Sequence, residues 1–282
     1  MSILIADSGS TKTEWCYVTA DSQEKIITEG LNPYYHTPGS IKDILGKSLT
    51  PKLSDETTEA IYFYGAGCDS PEKEQVLYEA LATVFPDTSC EVHHDLLGAA
   101  RACFFDEAGI ACILGTGSNS CLYDGKDIIE HIPSLAFILG DEGSAGYFGK
   151  KLINAYFRKE LPKDLEAKLE AEHNMSLNHI MLKAYGESQK SRFIGSYASF
   201  LGAYSDHPFV KKMLRNGFEE FITRVVKKYT NALKHEISFV GSVAFAHQEL
   251  IKELLKEEGL SPGIFIKKPI DRLVGFHTQK GA

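Results

Sequence analysis

The sequence lacks a long hydrophobic run, a signal-peptide pattern and any cluster of basic residues. Its first apolar run, Ile3 to Ala6, ends at Asp7, far short of the roughly 20 apolar residues that a membrane-spanning helix needs. Because no basic segment precedes that run, we expect no secretory signal and a cytoplasmic protein. The net charge of −8, without a Lys/Arg-rich segment, argues against a nucleic-acid-binding surface. We therefore expect neither a membrane nor a nucleic acid as a partner.

Common cysteine and nucleotide-binding motifs are also missing. The six cysteines form no CxxC pair, which excludes zinc sites built on such pairs and thioredoxin-type redox motifs. They are scattered through apolar segments, so we expect reduced thiols in the core. No GxxxxGK followed by Ser or Thr occurs, and no GxGxxG turn leads into a helix. The P-loop and Rossmann nucleotide folds are therefore excluded.

What the sequence does contain is one structural plan that occurs twice. Residues 3–18 have the pattern of an apolar strand, a turn of small residues and a second strand, and residues 110–123 repeat it. The two turns are Asp7-Ser8-Gly9-Ser10-Thr11-Lys12-Thr13 and Gly115-Thr116-Gly117-Ser118-Asn119. Small residues let a backbone approach a ligand, and hydroxyl and backbone N–H groups can donate to phosphate oxygens. Either turn alone could be only a tight hairpin, but the repetition suggests a duplicated domain that clamps a polyphosphate.

The remaining pattern predicts an α/β protein that is large enough, at 282 residues, for two domains. The first ~125 residues read as strands with helices between them, and residues 142–259 read mostly as helix. Ser70 and Pro71 open a helix that runs to about Phe85, since proline suits a first helical position. A further helix is predicted over residues 176–185, and helix is also predicted in the long amphipathic region of residues 209–235, where apolar residues recur at mixed three and four spacing.

Taken in order, these segments resemble the actin/hexokinase/Hsp70 ATPase superfamily. The first turn is similar to its phosphate-1 motif, the second turn to its phosphate-2 motif, and Phe239-Val240-Gly241-Ser242-Val243-Ala244 to its adenosine motif. Within the superfamily, the chain is most similar to the N-acetylglucosamine kinase branch of the BadF/BadG/BcrA/BcrD ATPase family. The sharpest markers are His94-Asp95-Leu96-Leu97-Gly98-Ala99-Ala100-Arg101 and Leu139-Gly140-Asp141-Glu142-Gly143-Ser144-Ala145-Gly146. The resemblance covers nearly the whole chain.

This resemblance implies a two-lobed actin/hexokinase-like (ribonuclease H-like) fold with an ATP cleft between the lobes. The expected lobes are residues 1–118, rejoined by residues 271–282, and residues 119–270. The implied activity is transfer of the γ-phosphoryl group of ATP, with Mg²⁺, to an amino sugar, with N-acetylglucosamine as the nearest precedent. N-acetylmuramic acid and glucosamine stay open as substrates, as do the hydroxyl that is phosphorylated and a homodimeric state.

The resemblance also assigns roles to single residues. Asp95 is expected to accept the proton of the attacking sugar hydroxyl, and Asp7 to organise Mg²⁺. Nucleotide contacts are expected from Ser10, Thr11, Lys12, Thr13, Thr116, Gly117, Gly241 and Ser242. Sugar contacts are expected from Asn32, Gly65, Ser118, Asn119, Asp141 and Ala145. Two features depart from the family pattern: Ser8 and Ser10 replace glycines of the first loop, and the turn at Gly65 often carries serine in the family.

Other interpretations of the same residues stay open at this point. Asp95 could be only the N-cap of a helix that begins at Leu96, and Asp7 only a turn former. A rival function is an ATPase activator of a radical dehydratase, which holds an iron–sulfur cluster through cysteines near the lobe junction. Cys112 and Cys121 lie near that junction. A second rival is a regulator that binds a sugar without turnover.

Overall fold

The computed structural model describes residues 2–9, 11–53, 58–186 and 190–279 of the chain. Contacts divide the chain into two compact units. Unit 1 comprises Met1–Glu107, Asp124–Ile128 and Lys268–Ala282, and unit 2 comprises Ala108–Tyr123 and Ile129–Lys267. Within the described ranges, no helix has both the length and the apolar character that a membrane span requires.

Each unit contains its own five-stranded sheet with helices around it. The strands are β1 (Ile3–Ser8), β2 (Lys12–Val18), β3 (Gln23–Glu29), β4 (Ala60–Gly65), β5 (Ser89–His94), β6 (Gly109–Leu114), β7 (Ser118–Tyr123), β8 (Ile128–Glu130), β9 (Glu236–Val240) and β10 (Ser261–Ile266). The helices are α1 (Pro38–Ser48), α2 (Pro71–Val84), α3 (Asp95–Phe104), α4 (Ala136–Leu139), α5 (Ala145–Phe157), α6 (Lys163–Glu172), α7 (Leu177–Gly186), α8 (Lys190–Ser196), α9 (Ala198–Ala203), α10 (Pro208–Arg224), α11 (Ser242–Ala246), α12 (Gln248–Glu257) and α13 (Ile270–Gln279). Short 3₁₀ turns occupy Thr50–Lys52, Val226–Lys228 and Ala232–Lys234.

The sheet of unit 1 has the strand order β3-β2-β1-β4-β5. β1, β2 and β3 form an antiparallel meander, whereas β4 pairs parallel to β1 and β5 pairs parallel to β4. β1 is buried along almost its whole length, as expected for a central strand made of Ile and Leu. The fully buried Trp15 packs against Phe63 and donates from its indole N–H to Thr28, so the first hairpin is fixed to the core.

The sheet of unit 2 follows the same plan, with the order β10-β9-β6-β7-β8. β6 and β7 form an antiparallel hairpin, and β9 and β10 continue the sheet in parallel from β6. The repeat of the hairpin plan is therefore observed in the topology, and the predicted α/β class is confirmed. Because β6 pairs with β7 and β9, the structure groups residues 108–118 with unit 2, whereas the sequence analysis put them in the first lobe.

The predicted helices agree with the structure except for the longest. α2 begins at Pro71 after the N-cap Ser70, and α7 ends at Gly186. The helix predicted over residues 209–235 was wrong in its second half, because α10 ends at Arg224. Beyond that point Tyr229 is anchored to the sheet, since its hydroxyl group bonds to Ser120 at 2.7 Å and accepts from the N–H of Ile132 at 3.2 Å. These bonds return the chain toward β9 instead of continuing the helix.

Candidate active site

The phosphate-1 turn joins β1 to β2 in unit 1, and side-chain hydroxyl groups hold it in place. The Ser8 and Thr13 hydroxyl oxygens lie 2.7 Å apart, Thr13 donates to the carbonyl of Glu29, and the N–H of Leu31 donates to Ser8. Thr13 is completely buried, so its side chain supports the turn and is not available to a phosphate in this structure. Thr11 and Lys12 are exposed. Ser10, another predicted nucleotide contact, lies outside the described residues.

Asp7 occupies the end of β1, next to Glu14 of β2 and Tyr64 of β4 in the register of the sheet. Burial, together with the negative charges of Asp95 and Glu14, raises the pKa of Asp7 from 3.8 to about 7. The positive charges of Lys12 and Lys268 oppose this rise. A carboxylate whose charge is penalised in this way gains stability from a cation, and perturbed carboxylates are typical of functional sites. This environment agrees with a cation-organising role for Asp7.

Asp95 is the first residue of α3, directly after β5. The interpretation of Asp95 as the N-cap was wrong, because His94 caps the helix: its Nδ1 atom accepts from the N–H of Leu96 at 3.2 Å. About a quarter of the Asp95 side chain, 26%, remains exposed. Burial raises the pKa of the Asp95 carboxyl, while His94 and the N–H of Leu96 oppose that rise. A raised pKa makes a carboxylate a better proton acceptor, which fits a general base.

Two predicted sugar-side elements of unit 1 lie in contact. Gly67 has φ +85°, and a Cβ atom there would approach the Asn32 Oδ1 atom to 2.7 Å. Asn32 is 7% exposed, and its Oδ1 atom accepts from the N–H of Tyr34 at 2.9 Å. At Gly65, a Cβ atom would lie 2.5 Å from the ring of Phe63. Glycine at position 65 therefore leaves the space that the Phe63 ring occupies.

The phosphate-2 turn of unit 2 is held by backbone hydrogen bonds from the start of α5. The N–H groups of Ala145 and Gly146 donate to the carbonyls of Gly115 and Thr116 at 2.9 and 3.0 Å. Thr116 is exposed at the tip of the turn. A Cβ atom on Gly117 would lie 2.9 Å from the Asp141 carboxylate, so the turn and Asp141 are packed together. The structure therefore brings the predicted residues Thr116, Gly117, Asp141 and Ala145 to one place in unit 2.

Asp141 is 6% exposed and has φ +59°, an unusual backbone conformation for a residue other than glycine. Its Oδ1 atom accepts from the N–H of Ser118 at 3.2 Å, and its own N–H donates to the carbonyl of Ser134. Burial raises the pKa of Asp141, and the Ser118 bond and the charge of Lys150 oppose the rise. Strained backbone around a buried carboxylate is a feature of binding sites.

The predicted adenosine turn follows β9. Gly241 has φ +122°, and a Cβ atom there would lie 2.3 Å from the carbonyl oxygen of Leu114. Its N–H donates to Ile266 at 2.9 Å. Glycine is thus required by the backbone itself, and the turn packs against the residue that precedes the phosphate-2 turn. Ser242 is exposed at the start of α11.

Sequence analysis missed a set of residues that support Asp7 and Asp95. Tyr64 packs against Gly98 of α3, where a Cβ atom would lie 2.8 Å from its ring. The Tyr64 hydroxyl accepts from Arg101 and bonds to His277 of α13, each at 2.8 Å. Glu14, 6% exposed, pairs with Lys268 at 2.7 Å. Gly98 and Arg101 belong to the quoted motif that contains Asp95, but their partners Tyr64 and His277 are distant along the chain.

The donor groups around Asp7 fit the way in which phosphoryl-transfer enzymes bind Mg²⁺. Mg²⁺ in phosphoryl-transfer enzymes takes one or two carboxylates and completes its shell with water and phosphate oxygens. Within the described ranges, no group of three His, Cys, Asp or Glu side chains is arranged to hold a metal. A single carboxylate with a raised pKa fits this mode, in which the nucleotide supplies further ligands.

The two cysteines relevant to an iron–sulfur cluster are fully buried. Cys112 lies in β6 opposite Ser120, and Cys121 lies in β7 opposite Ala111. Both cysteines occupy interior positions of one sheet, which is the core role that the sequence predicted for these thiols. A ligand of a cluster shared between subunits has to be presented at a surface. This arrangement therefore argues against the dehydratase-activator interpretation.

Comparison with known proteins identifies relatives of the whole chain. No protein-family model matches the sequence, and a comparison with curated proteins finds no match. A candidate N-acetylglucosamine kinase from Porphyromonas gingivalis is 36% identical over 99% of this chain and 100% of its own, with a TM-score of 0.94. This chain belongs to that protein's family, the candidate N-acetylglucosamine kinases.

Two more distant structures share the fold of this family. A candidate N-acetylglucosamine kinase from Chromobacterium violaceum is 13% identical, covers 98% of both chains and has a TM-score of 0.73. A glucokinase of the ROK family from Streptomyces griseus, solved with glucose and the ATP analogue AMPPNP, is 15% identical over 99% of both chains, with a TM-score of 0.58. The predicted actin/hexokinase-like fold is therefore confirmed for this chain.

Proposed function

We propose that this protein is an ATP-dependent sugar kinase whose substrate is an N-acetylated amino sugar, with N-acetylglucosamine as the first candidate. The observation that carries the proposal is the full-length similarity to the Porphyromonas gingivalis protein. The quoted motifs further suggest the BadF/BadG/BcrA/BcrD branch of the superfamily. Asp7, Asp95 and Asp141 each lie in an environment that raises the carboxyl pKa, which supports functional roles for all three.

The proposed roles follow from the exposure and bonding of each residue. Thr11 and Lys12 of unit 1, and Thr116 with the backbone of Gly117 in unit 2, would bind phosphate oxygens. Asp7 would hold Mg²⁺, which balances phosphate charge when it is bound. Gly241 and Ser242 would border the adenosine. Thr13 would keep the phosphate-1 turn in shape, since its hydroxyl is already bonded to Ser8 and Glu29.

Asp95 would accept the proton of the attacking sugar hydroxyl. α3 fixes its position, because His94 caps the helix and Gly98 packs against Tyr64. Asn32 and the turn at Gly65 in unit 1, and Ser118, Asn119, Asp141 and Ala145 in unit 2, would bind the sugar. Ionised carboxylates accept hydrogen bonds from hydroxyl groups, so Asp141 is suited to orient a sugar hydroxyl. Phosphoryl transfer of this kind depends mainly on positioning and electrostatics.

The test is a coupled ADP-release assay with MgATP and a panel of N-acetylglucosamine, N-acetylmuramic acid, glucosamine and glucose. We expect sugar-stimulated ADP release, strongest with an N-acetylated sugar, and NMR of the product identifies the phosphorylated hydroxyl. ADP release that no sugar stimulates would refute the proposal. Sugar binding without turnover would favour the sensing regulator, and stoichiometric iron in anaerobically purified protein would favour the dehydratase activator.

A further inference from the structure

His131 lies in unit 2, between β8 and α4, in a position that no recognised motif covers. Its Nε2 atom lies 2.9 Å from the Oδ1 atom of Asn119, a predicted sugar-binding residue of β7. The same Oδ1 atom accepts a hydrogen bond from the backbone N–H of Ser120 at 3.0 Å. Asn119 is half-buried, whereas His131 is exposed on the segment that leads to Asp141. An exposed histidine therefore contacts the side chain that is expected to bind sugar.

The chemistry of these contacts fixes the orientation of the Asn119 amide. A backbone N–H group can only donate, so the Asn119 atom that faces Ser120 has to be the carbonyl oxygen and not the NH₂ group. The His131 Nε2 atom contacts that same oxygen, and it must therefore carry a proton and donate. Because Oδ1 accepts both bonds, the NH₂ group of Asn119 is directed away from Ser120 and His131.

The consequence is a defined pattern of donors and acceptors. Asn119 presents its NH₂ group as a donor, while Asp141, which accepts from the N–H of Ser118, the residue before Asn119, is an acceptor. A sugar hydroxyl can accept from the NH₂ group, as can the carbonyl of an N-acetyl group, and a hydroxyl can donate to a carboxylate such as Asp141. Without the His131 bond, only the hydrogen bond from the Ser120 N–H would hold the Asn119 amide in this orientation.

We propose that His131 is a positioning residue that holds Asn119 as a hydrogen-bond donor to the sugar. The proposal rests on the proposed sugar kinase function and adds a specificity role for a residue outside the quoted motifs. A neutral hydrogen bond contributes modestly, so its loss changes sugar affinity by about twofold to tenfold. The chemical step, which depends on Asp95, and nucleotide binding are unaffected.

Two variants separate the donor of His131 from the bulk of its ring. His131→Phe keeps a ring but has no donor, and His131→Gln loses the ring but can donate from its amide. We expect His131→Phe to raise the sugar KM about twofold to tenfold, with kcat and the KM for ATP unchanged. His131→Gln should restore a sugar KM close to that of the unmodified protein. His235→Phe, the same substitution at another histidine of unit 2, serves as the control.

Calorimetric titration of N-acetylglucosamine without ATP gives a second reading that does not depend on turnover. A dissociation constant for the sugar that is larger in His131→Phe than in His131→Gln, as expected for the KM values, supports the proposal. Equal sugar KM and affinity in His131→Phe and the unmodified protein would overturn it, as would an equal loss in His131→Gln. If the unmodified protein neither binds nor phosphorylates any sugar of the panel, the proposed function fails first and this proposal fails with it.

Discussion

An Asp95→Asn variant keeps the size of the side chain but removes its charge and its basicity. If Asp95 accepts the proton of the sugar hydroxyl, kcat should fall by about 10²- to 10⁴-fold, which corresponds to roughly 3 to 5 kcal/mol of activation barrier. The KM for ATP should change little, because the nucleotide contacts are expected from other residues. The variant therefore tests chemistry separately from nucleotide binding.

The structure also predicts the stability of this variant. His94 provides the N-cap of α3, so the capping bond remains when Asp95 is replaced. An asparagine at the first helical position loses a favourable helix-dipole interaction of about 0.3 to 1 kcal/mol. Burial disfavours the Asp95 charge, as its raised pKa shows, and removing that charge offsets the loss. We expect the Tm to change by no more than about 2 to 4 °C, the shift that 1 kcal/mol gives in a protein of this size class.

The pH dependence gives an independent check of Asp95. A general base is active only when deprotonated, so kcat/KM should fall as the pH is lowered through the pKa of Asp95. Because that pKa is raised, the fall should occur above the ordinary aspartate value of 3.8. For stability the sign is opposite: with a raised folded-state pKa, the folded protein loses stability as the pH rises from 3.8 through that pKa. The acid limb of kcat/KM assigned to Asp95 should be absent in Asp95→Asn.

Glu91→Gln is the matched control, because it makes the same chemical change on β5. Glu91 is half exposed and pairs with His93. Its replacement should leave kcat, KM and Tm near those of the unmodified protein. A folded Asp95→Asn protein with a kcat within a few-fold of the unmodified protein would refute the assignment of Asp95 as the base. A large loss of Tm with little change in kcat would instead indicate a structural role.

Two further predictions concern Asp7 and Gly241. Without metal, stability should decline as the pH rises from about 4 to about 7, because folded Asp7 retains its proton in that range and the unfolded chain does not. Urea unfolding of Asp7→Asn in EDTA should show a smaller decline, and an unchanged pH profile would contradict the raised pKa of Asp7. Gly241→Ala should lower the free energy of unfolding by about 1 to 3 kcal/mol, because φ +122° disfavours a Cβ atom, which would also meet the Leu114 carbonyl. Gly259→Ala is its control, since φ is also positive there but the nearest atom is 3.9 Å away, and equal losses in the two variants would contradict the contact with Leu114.

The sequence predicted the hairpins and the class of fold because both depend on segments that follow one another closely along the chain. Two apolar runs joined by a short turn of small residues readily pair as an antiparallel hairpin, and the structure has these hairpins at β1–β2 and β6–β7. It could not predict the support of α3, because the Tyr64–His277 bond joins residues 213 positions apart. The alternative in which Asp95 caps α3 came from residue type, since aspartate is a common N-cap, whereas in the structure the preceding His94 ring accepts from the Leu96 N–H.

The site residues were predicted from motifs, and the structure shows which of their side chains are buried or already hydrogen-bonded. Thr13 belongs to the phosphate-1 motif, but it is completely buried with its hydroxyl bonded to Ser8 and Glu29. Gly241 was predicted as a nucleotide contact, whereas its backbone angle and its contact with Leu114 require glycine without any nucleotide. A larger residue at Gly241 would thus disturb folding before it tested nucleotide binding. Burial and backbone angles of this kind arise from tertiary packing, which a motif does not encode.

The departure of the first loop from its all-glycine form has a physical reason in the structure. The phosphate-2 turn accepts backbone hydrogen bonds from the start of α5, whereas in the phosphate-1 turn side-chain hydroxyl groups add to backbone bonds such as that from the Gly9 N–H to the Lys12 carbonyl. Ser8 supplies two of those bonds, one with Thr13 and one from the N–H of Leu31, which directly precedes Asn32. Glycine at this position could make neither bond. Ser8 therefore links the phosphate-1 turn to the segment that carries Asn32, and serine has a structural role at this position.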